Sequence, residues 1–187
     1  MSDIAILKEM IKETATVPLE DHHNKKQVKL IEPDIPNCFV TIHGMPHHDE
    51  VIIIKADDFK SPDTVFTGSK GECKRADFVI VADTGKKKVI FCIEMKAKTR
   101  TSTEKKIIEQ LKGAKCFVAY CQKIGKEFWG QPKFLDSYVY RFVTIRNINL
   151  DKRSTREEIT DTHVSPERML KISSPKGLQF NRLIGGR

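Results

Sequence analysis

No apolar run in this chain of 187 residues approaches the roughly 18 to 20 residues that a membrane-spanning helix needs. Met1 to Met10 also lack the basic start and apolar middle of a signal peptide. The sequence therefore predicts no membrane partner and a non-secreted, cytoplasmic protein, or a nucleoid-associated or nuclear one. It carries no internal repeat and no low-complexity tract, which sets aside solenoid and fibrous architectures. Cysteine is scarce and odd in number. Cys38, Cys73, Cys92, Cys116 and Cys121 include no CxxC pair, and most lie in apolar strand-like runs. That argues against a disulfide framework or a zinc cluster and for reduced, buried thiols. With 39% hydrophobic residues the chain can bury one core, so a single α/β domain with elaborations is expected over residues 1–187.

What is present is positive charge, and it is concentrated. The formal net charge is +8, and residues 70–115, with 13 basic and 6 acidic side chains, carry +7 of it. A local field of this sign attracts polyanions and raises their rate of encounter, although a lysine-rich face also serves solubility alone.

The periodicities place elements. Ser2 or Asp3 caps a first helix whose apolar residues are Ile4, Leu7, Met10 and Ile11, and Thr14 to Pro18 stop it. Residues 18–36 are polar and proline-containing and read as loop. The runs "NCFVTIHG" and "EVIIIKA" read as short strands, and "SPDTVFTGSKG" as a second loop. "DFVIVA" and "VIFCIEMKA" are β-branched and apolar on both faces, and "DTGKKK" between them supplies turn chemistry around Gly85. This predicts a hairpin central to a sheet covered on both sides. A turn at Gly85 and Lys86 pairs Ala82 with Val89, Ile80 with Phe91 and Phe78 with Ile93, and continues to set Asp77 opposite Glu94. Directly opposed residues share a face, with Cβ atoms about 4.5 to 5.5 Å apart, and Lys96 points the same way.

Charge at the end of an apolar hairpin costs several kcal/mol unless it is paired or holds a cation. Two carboxylates at this separation repel, and a divalent ion between them is the natural resolution. Oxygen ligands of this kind suit Mg²⁺ or Mn²⁺ rather than zinc. A metal there would polarise a phosphodiester and acidify a bound water, with Lys96 orienting or helping to deprotonate that water or neutralising the developing charge. A bare ExK tripeptide also reads as a cross-strand salt bridge. Its weight here comes from the Asp in register and from the element that follows. In "TSTEKKIIEQLKGAKCFVAYC", Thr101 and Glu104 form a capping box, Ile107, Ile108, Leu111 and Ala114 an apolar stripe, and Gly113 a stop, after which "KCFVAYC" reads as a strand. Gln110 lies about 60° around the helix from Ile107 and can look inward to the site.

This order, a helix, strands bearing Asp77 and then Glu94-Met95-Lys96, a helix carrying Gln110 and a further strand, resembles the PD-(D/E)xK phosphodiesterases, the restriction-endonuclease-like nucleases, over roughly residues 2–121. The resemblance implies a restriction-endonuclease-like core, a central mixed β-sheet with a catalytic hairpin flanked by helices, spanning about residues 2–145 with a basic extension at 146–187. It implies that Asp77 and Glu94 hold Mg²⁺ or Mn²⁺ with the help of the Met95 carbonyl, and that Lys96 serves the water. Members often add a Glu from the first helix, for which Glu9 and Glu13 are both candidates. Ala76 stands where the motif has Pro, and Pro62-Asp63 lies upstream in a turn-like loop without the hairpin register. The implied activity is metal-dependent hydrolysis of DNA, with RNA as the other substrate, in restriction, repair or anti-phage defence. Lys74, Arg75, Lys98 and Arg100 would contact the nucleic-acid backbone, and double-strand cleavage would call for a homodimer. The alternative is a nuclease-like module that binds nucleic acid or a protein without cutting.

Other features read more plainly. "HGMPHHDE", with His22 and His23, lacks the spacing and helical context of an HNH site or a zinc site and reads as a solvated loop. Trp129, Phe128 and Phe134 offer a stacking platform for bases but fit packing over a core edge better. "SYVYRFVTIRNI" reads as another strand, and the basic extension as a backbone clamp, a dimer cover or a loose end.

Overall fold

The computed structural model describes residues 1–32, 38–60, 64–97, 102–148, 162–173, 175 and 177–185. Helix α1, Asp3–Met10, starts at Ser2, whose hydroxyl accepts a hydrogen bond from the Ala5 N–H at 3.2 Å. Its Ile4, Ile6 and Leu7 are buried. Strands β1 (Glu20–His22), β2 (Lys25–Ile31) and β3 (Phe39–Met45) then form an antiparallel meander, completed into a four-stranded sheet by the short parallel strand β9 (Leu178–Gln179).

The second sheet is the scaffold of the molecule. It runs β4 (Val51–Lys55), β5 (Phe78–Asp83), β6 (Lys88–Ala97), β7 (Val139–Ile148), β8 (Leu170–Ser173), with β4, β5 and β6 antiparallel and β7 and β8 parallel to β6. A parallel partner for β6 requires a crossover, and helix α2, Glu104–Phe128, provides it. One face of the sheet, with Val79, Val81, Ile90, Cys92 and Phe142, is covered by α1 and α2. The other, with Phe78, Ile80, Phe91, Ile93 and Val143, packs on the four-stranded sheet and on helix α3 (Phe180–Ile184). Burial on both faces accounts for the continuous apolar composition of β5 and β6, each large aliphatic side chain contributing about 1.5 to 3 kcal/mol. The hairpin register is the one expected, with Phe78 opposite Ile93, Ile80 opposite Phe91 and Ala82 opposite Val89. The five cysteines are free thiols, and no helix among the described residues is long and apolar enough to cross a membrane.

Four expectations are corrected. Residues 18–36 contain β1 and β2, in which Val28 and Leu30 alternate inward against outward lysines. The helix after the hairpin does not stop at Gly113, and "KCFVAYC" is helical. Gly113 is instead the point where the segment before β5 crosses α2, because a Cβ there would stand 1.7 Å from the Lys74 carbonyl oxygen. The cap of α2 is Thr103, which accepts from the Lys106 N–H at 3.4 Å, while Thr101 lies outside the described residues. The described residues of the C-terminal region are no loose end, since β8 extends the larger sheet and β9 and α3 close the smaller one.

Candidate metal centre at the end of the central hairpin

Asp77 immediately precedes β5, whose register ends with Phe78 opposite Ile93, and it lies close enough to Glu94, at the end of the hairpin away from the Gly85 turn, to feel its charge. By strand alternation Asp77 shares the helix-covered face with Val79 and Val81, and Glu94 and Lys96 share it with Ile90 and Cys92. Asp77 accepts a hydrogen bond from the Met95 N–H at 2.5 Å. In an extended strand the N–H and C=O of one residue point to the same side, which puts the Met95 carbonyl on the side of Asp77 as well. Glu94 is fully buried, and Lys96 forms an ion pair with it.

The sequence reading missed one member of this group. Glu32, buried at 5% exposure, lies just past β2, where its N–H donates to the Cys38 carbonyl at 2.8 Å and prolongs the β2–β3 ladder. Val28, Leu30 and Glu32 form one inward row, so the signal was an acid ending an alternating strand, hidden because the segment reads as loop. Glu32 comes close enough to raise the pKa of both Asp77 and Glu94.

Two buried carboxylates, Asp77 and Glu94, thus meet one ammonium, and Glu32, turned inward from the smaller sheet, acts on all three through its charge. Burial, then the neighbouring Glu94, push the Asp77 carboxyl well above the ordinary range, against the opposing Met95 hydrogen bond. Burial raises Glu94 to about 7, while Lys96 and the Gln110 amide oppose the rise. For Lys96 burial pulls downward, but Glu94 and then Asp77 outweigh it and the ammonium is held above its usual value. A group of this composition fits a hard divalent cation with oxygen ligands. Asp77, Glu94 and the Met95 carbonyl would hold it, with Glu32 beside them.

Gln110 faces the site from α2, its amide donating to the Arg75 carbonyl at 3.5 Å. Glu9 and Glu13 are not brought in. Glu9 accepts from the Trp129 indole N–H at 3.0 Å just past the C-terminus of α2, at the opposite end of the sheet, and Glu13 sits in an exposed 3₁₀ turn. Lys74 is ion-paired with Glu109 at 2.5 Å. Arg75 donates to the carbonyls of Glu72 and Lys74 and lies over the Phe59 ring, so Lys74 braces the loop against α2 while Arg75 braces the loop itself. Lys98, Arg100 and Pro62-Asp63 fall outside the described residues.

Trp129 and Phe134 pack on the helix-side core, while Phe128 is exposed. His47, His48 and Asp49 cluster on the surface, where His47 and Glu50 cap a 3₁₀ turn. No family model, curated protein or solved structure matches this chain.

Proposed function

We propose that this chain is a metal-dependent nuclease hydrolysing phosphodiester bonds, with a restriction-endonuclease-like core. The observation that carries the reading is the convergence of Asp77 and Glu94, with Lys96 and Gln110, at one buried strand end. Supporting it are the arrangement of the larger sheet, in which the antiparallel strands β4, β5 and β6 lead through α2 to the parallel strand β7 with α1 on the same face as α2, and the positive charge around the hairpin. Mg²⁺ or Mn²⁺ is the implied cofactor and DNA, or else RNA, the substrate.

A divalent cation held by Asp77 and Glu94 supplies Lewis acidity that polarises a phosphodiester and lowers the pKa of a bound water. The chain's own groups do the rest. Asp77 is fixed by the Met95 N–H, which sets the direction of its free oxygen. Glu94 is held at the floor of the site by the neighbouring strands. Lys96, kept protonated by Glu94, acts as a donor that orients the attacking water and neutralises negative charge developing on the phosphate oxygens, rather than as the base that takes the proton. Gln110 steadies the ionised form of Glu94 from the helix side.

The test is incubation of the protein with supercoiled plasmid, linear duplex and single-stranded DNA and RNA, with and without Mg²⁺ or Mn²⁺, beside Lys96→Ala. The expected result is metal-dependent cleavage that falls by about two to four orders of magnitude in the variant. Binding without cleavage of any substrate would favour a non-cutting module.

A further inference from the structure

Beside the carboxylates, on the neighbouring parallel strand, lies a pair of polar side chains to which the nuclease reading gives no role. The β6–β7 register sets Thr144 next to Glu94 and Arg146 next to Lys96. Tyr140 and Phe142, two and four residues before Thr144, belong to the helix-side core, so Thr144 and Arg146 project to the same face as Glu94 and Lys96. Thr144 has no exposed surface, and its hydroxyl meets no hydrogen-bond partner among the described residues. The Nε and one Nη of Arg146 are likewise buried and have no acceptor among the described residues. Glu104, at the start of α2, is near enough to Arg146 to feel its charge, but its carboxylate is ion-paired with Lys171 at 2.8 Å.

Buried hydroxyls and guanidinium N–H groups left without partners are uncommon in folded proteins, and a cluster of them calls for a water, an ion or a ligand to complete the bonding. An Arg fork with two N–H groups free on one edge matches two oxygens of a tetrahedral oxyanion, and a neighbouring hydroxyl adds a third donor. Lys96 follows Glu94 along β6 and Arg146 lies next to Lys96 on β7, so this cationic pair would meet the oxygens of a phosphate whose other oxygens face the carboxylate-held cation.

We propose that Arg146 and Thr144 form a phosphate subsite, which receives the non-bridging oxygens of the phosphodiester being cut. This deepens the nuclease reading and rests on it for the identity of the substrate. In the bound state Arg146 donates from Nε and Nη to one phosphate and Thr144 donates its hydroxyl to the same group, so the substrate is positioned by its backbone and not by its bases.

The experiment uses inorganic phosphate as the probe, titrated by calorimetry with and without magnesium chloride into the wild-type protein, Arg146→Ala, Arg146→Lys and Thr144→Val, with circular-dichroism melting of each. Wild type is expected to bind phosphate. Arg146→Ala should weaken binding about tenfold or more, and Arg146→Lys should recover only part of that loss because an ammonium cannot replace the fork. Thr144→Val, which removes a buried hydroxyl without changing shape, should weaken phosphate binding by a few-fold while melting at or above the wild-type temperature. In cleavage assays, inhibition of Arg146→Lys by phosphate should require a correspondingly higher phosphate concentration than inhibition of the wild type. Absence of phosphate binding by the wild type, or equal binding by wild type and all three variants, would overturn the subsite. Phosphate binding that depends on Arg146 in a protein that cuts no nucleic acid would uphold the subsite and overturn the nuclease.

Discussion

The Asp77 carboxylate accepts a hydrogen bond from the Met95 N–H at 2.5 Å, so the acid of one strand is clamped to the backbone between Glu94 and Lys96 on the next. The clamp needs only an acceptor oxygen, whereas holding a cation needs the charge.

Asp77→Asn separates these two roles. The Asn carbonyl oxygen still accepts from Met95, while the side chain can no longer ionise beside Glu94, which is what burial disfavours at Asp77. Without metal at pH 8, the variant should gain about 1 to 3 kcal/mol over the wild type in urea unfolding, and it should lose its response to Mg²⁺ or Mn²⁺. A variant less stable than the wild type would mean that the Asp77 charge is satisfied within the protein.

The pH dependence follows from the direction of the shifts. Asp77 is raised and Glu94 is raised from 4.5 to about 7, so the folded protein keeps protons that the unfolded chain releases. For such groups stability is highest at low pH and declines as pH rises from the unfolded toward the folded pKa. The metal-free protein should therefore lose a few kcal/mol between about pH 4.5 and pH 7. Lys96, raised above 10.5, keeps its contribution throughout this window and loses it only at more alkaline pH. Melting temperatures across the range, with EDTA and then with Mg²⁺, check this, and the metal should flatten the decline because it favours the ionised carboxylates.

Gly113 provides a test of the fold away from the site. Helix propensity alone gives Gly→Ala a gain of about 1 kcal/mol. Here the new Cβ would stand 1.7 Å from the Lys74 carbonyl, which is backbone and cannot swing away. Gly113→Ala should therefore destabilise the protein by about 1 to 3 kcal/mol in denaturant unfolding.

The central hairpin was legible because its residues decide their own pairing: apolar alternation, a Gly85 turn and two opposed acids leave one register. The same local logic failed where long-range contacts decide. Gly113 has the composition of a helix stop, yet Lys74, 39 positions upstream, needs the space it leaves. Glu32 looked like loop because β2 alternates lysines with only Val28 and Leu30, and its inward turn depends on packing against the larger sheet. Neither Glu9 nor Glu13 reaches the carboxylates, since α1 runs over the sheet with its C-terminal end beside Trp129. Thr144 and Arg146 sit in an ordinary strand sequence, and the parallel pairing through the α2 crossover, invisible in local patterning, brings them beside Glu94 and Lys96.

The most direct measurement is calorimetric titration of Mn²⁺ into the wild-type protein, Asp77→Asn, Glu94→Gln and Glu32→Gln, repeated in two buffers of different ionisation enthalpy. The expected result is saturable binding to the wild type with release of protons near pH 7, abolished in Asp77→Asn and Glu94→Gln and weakened about tenfold in Glu32→Gln. Absence of Mn²⁺ binding by the wild type, or binding unchanged in the Asp77 and Glu94 variants, would contradict the assignment of the hairpin carboxylates as a metal centre.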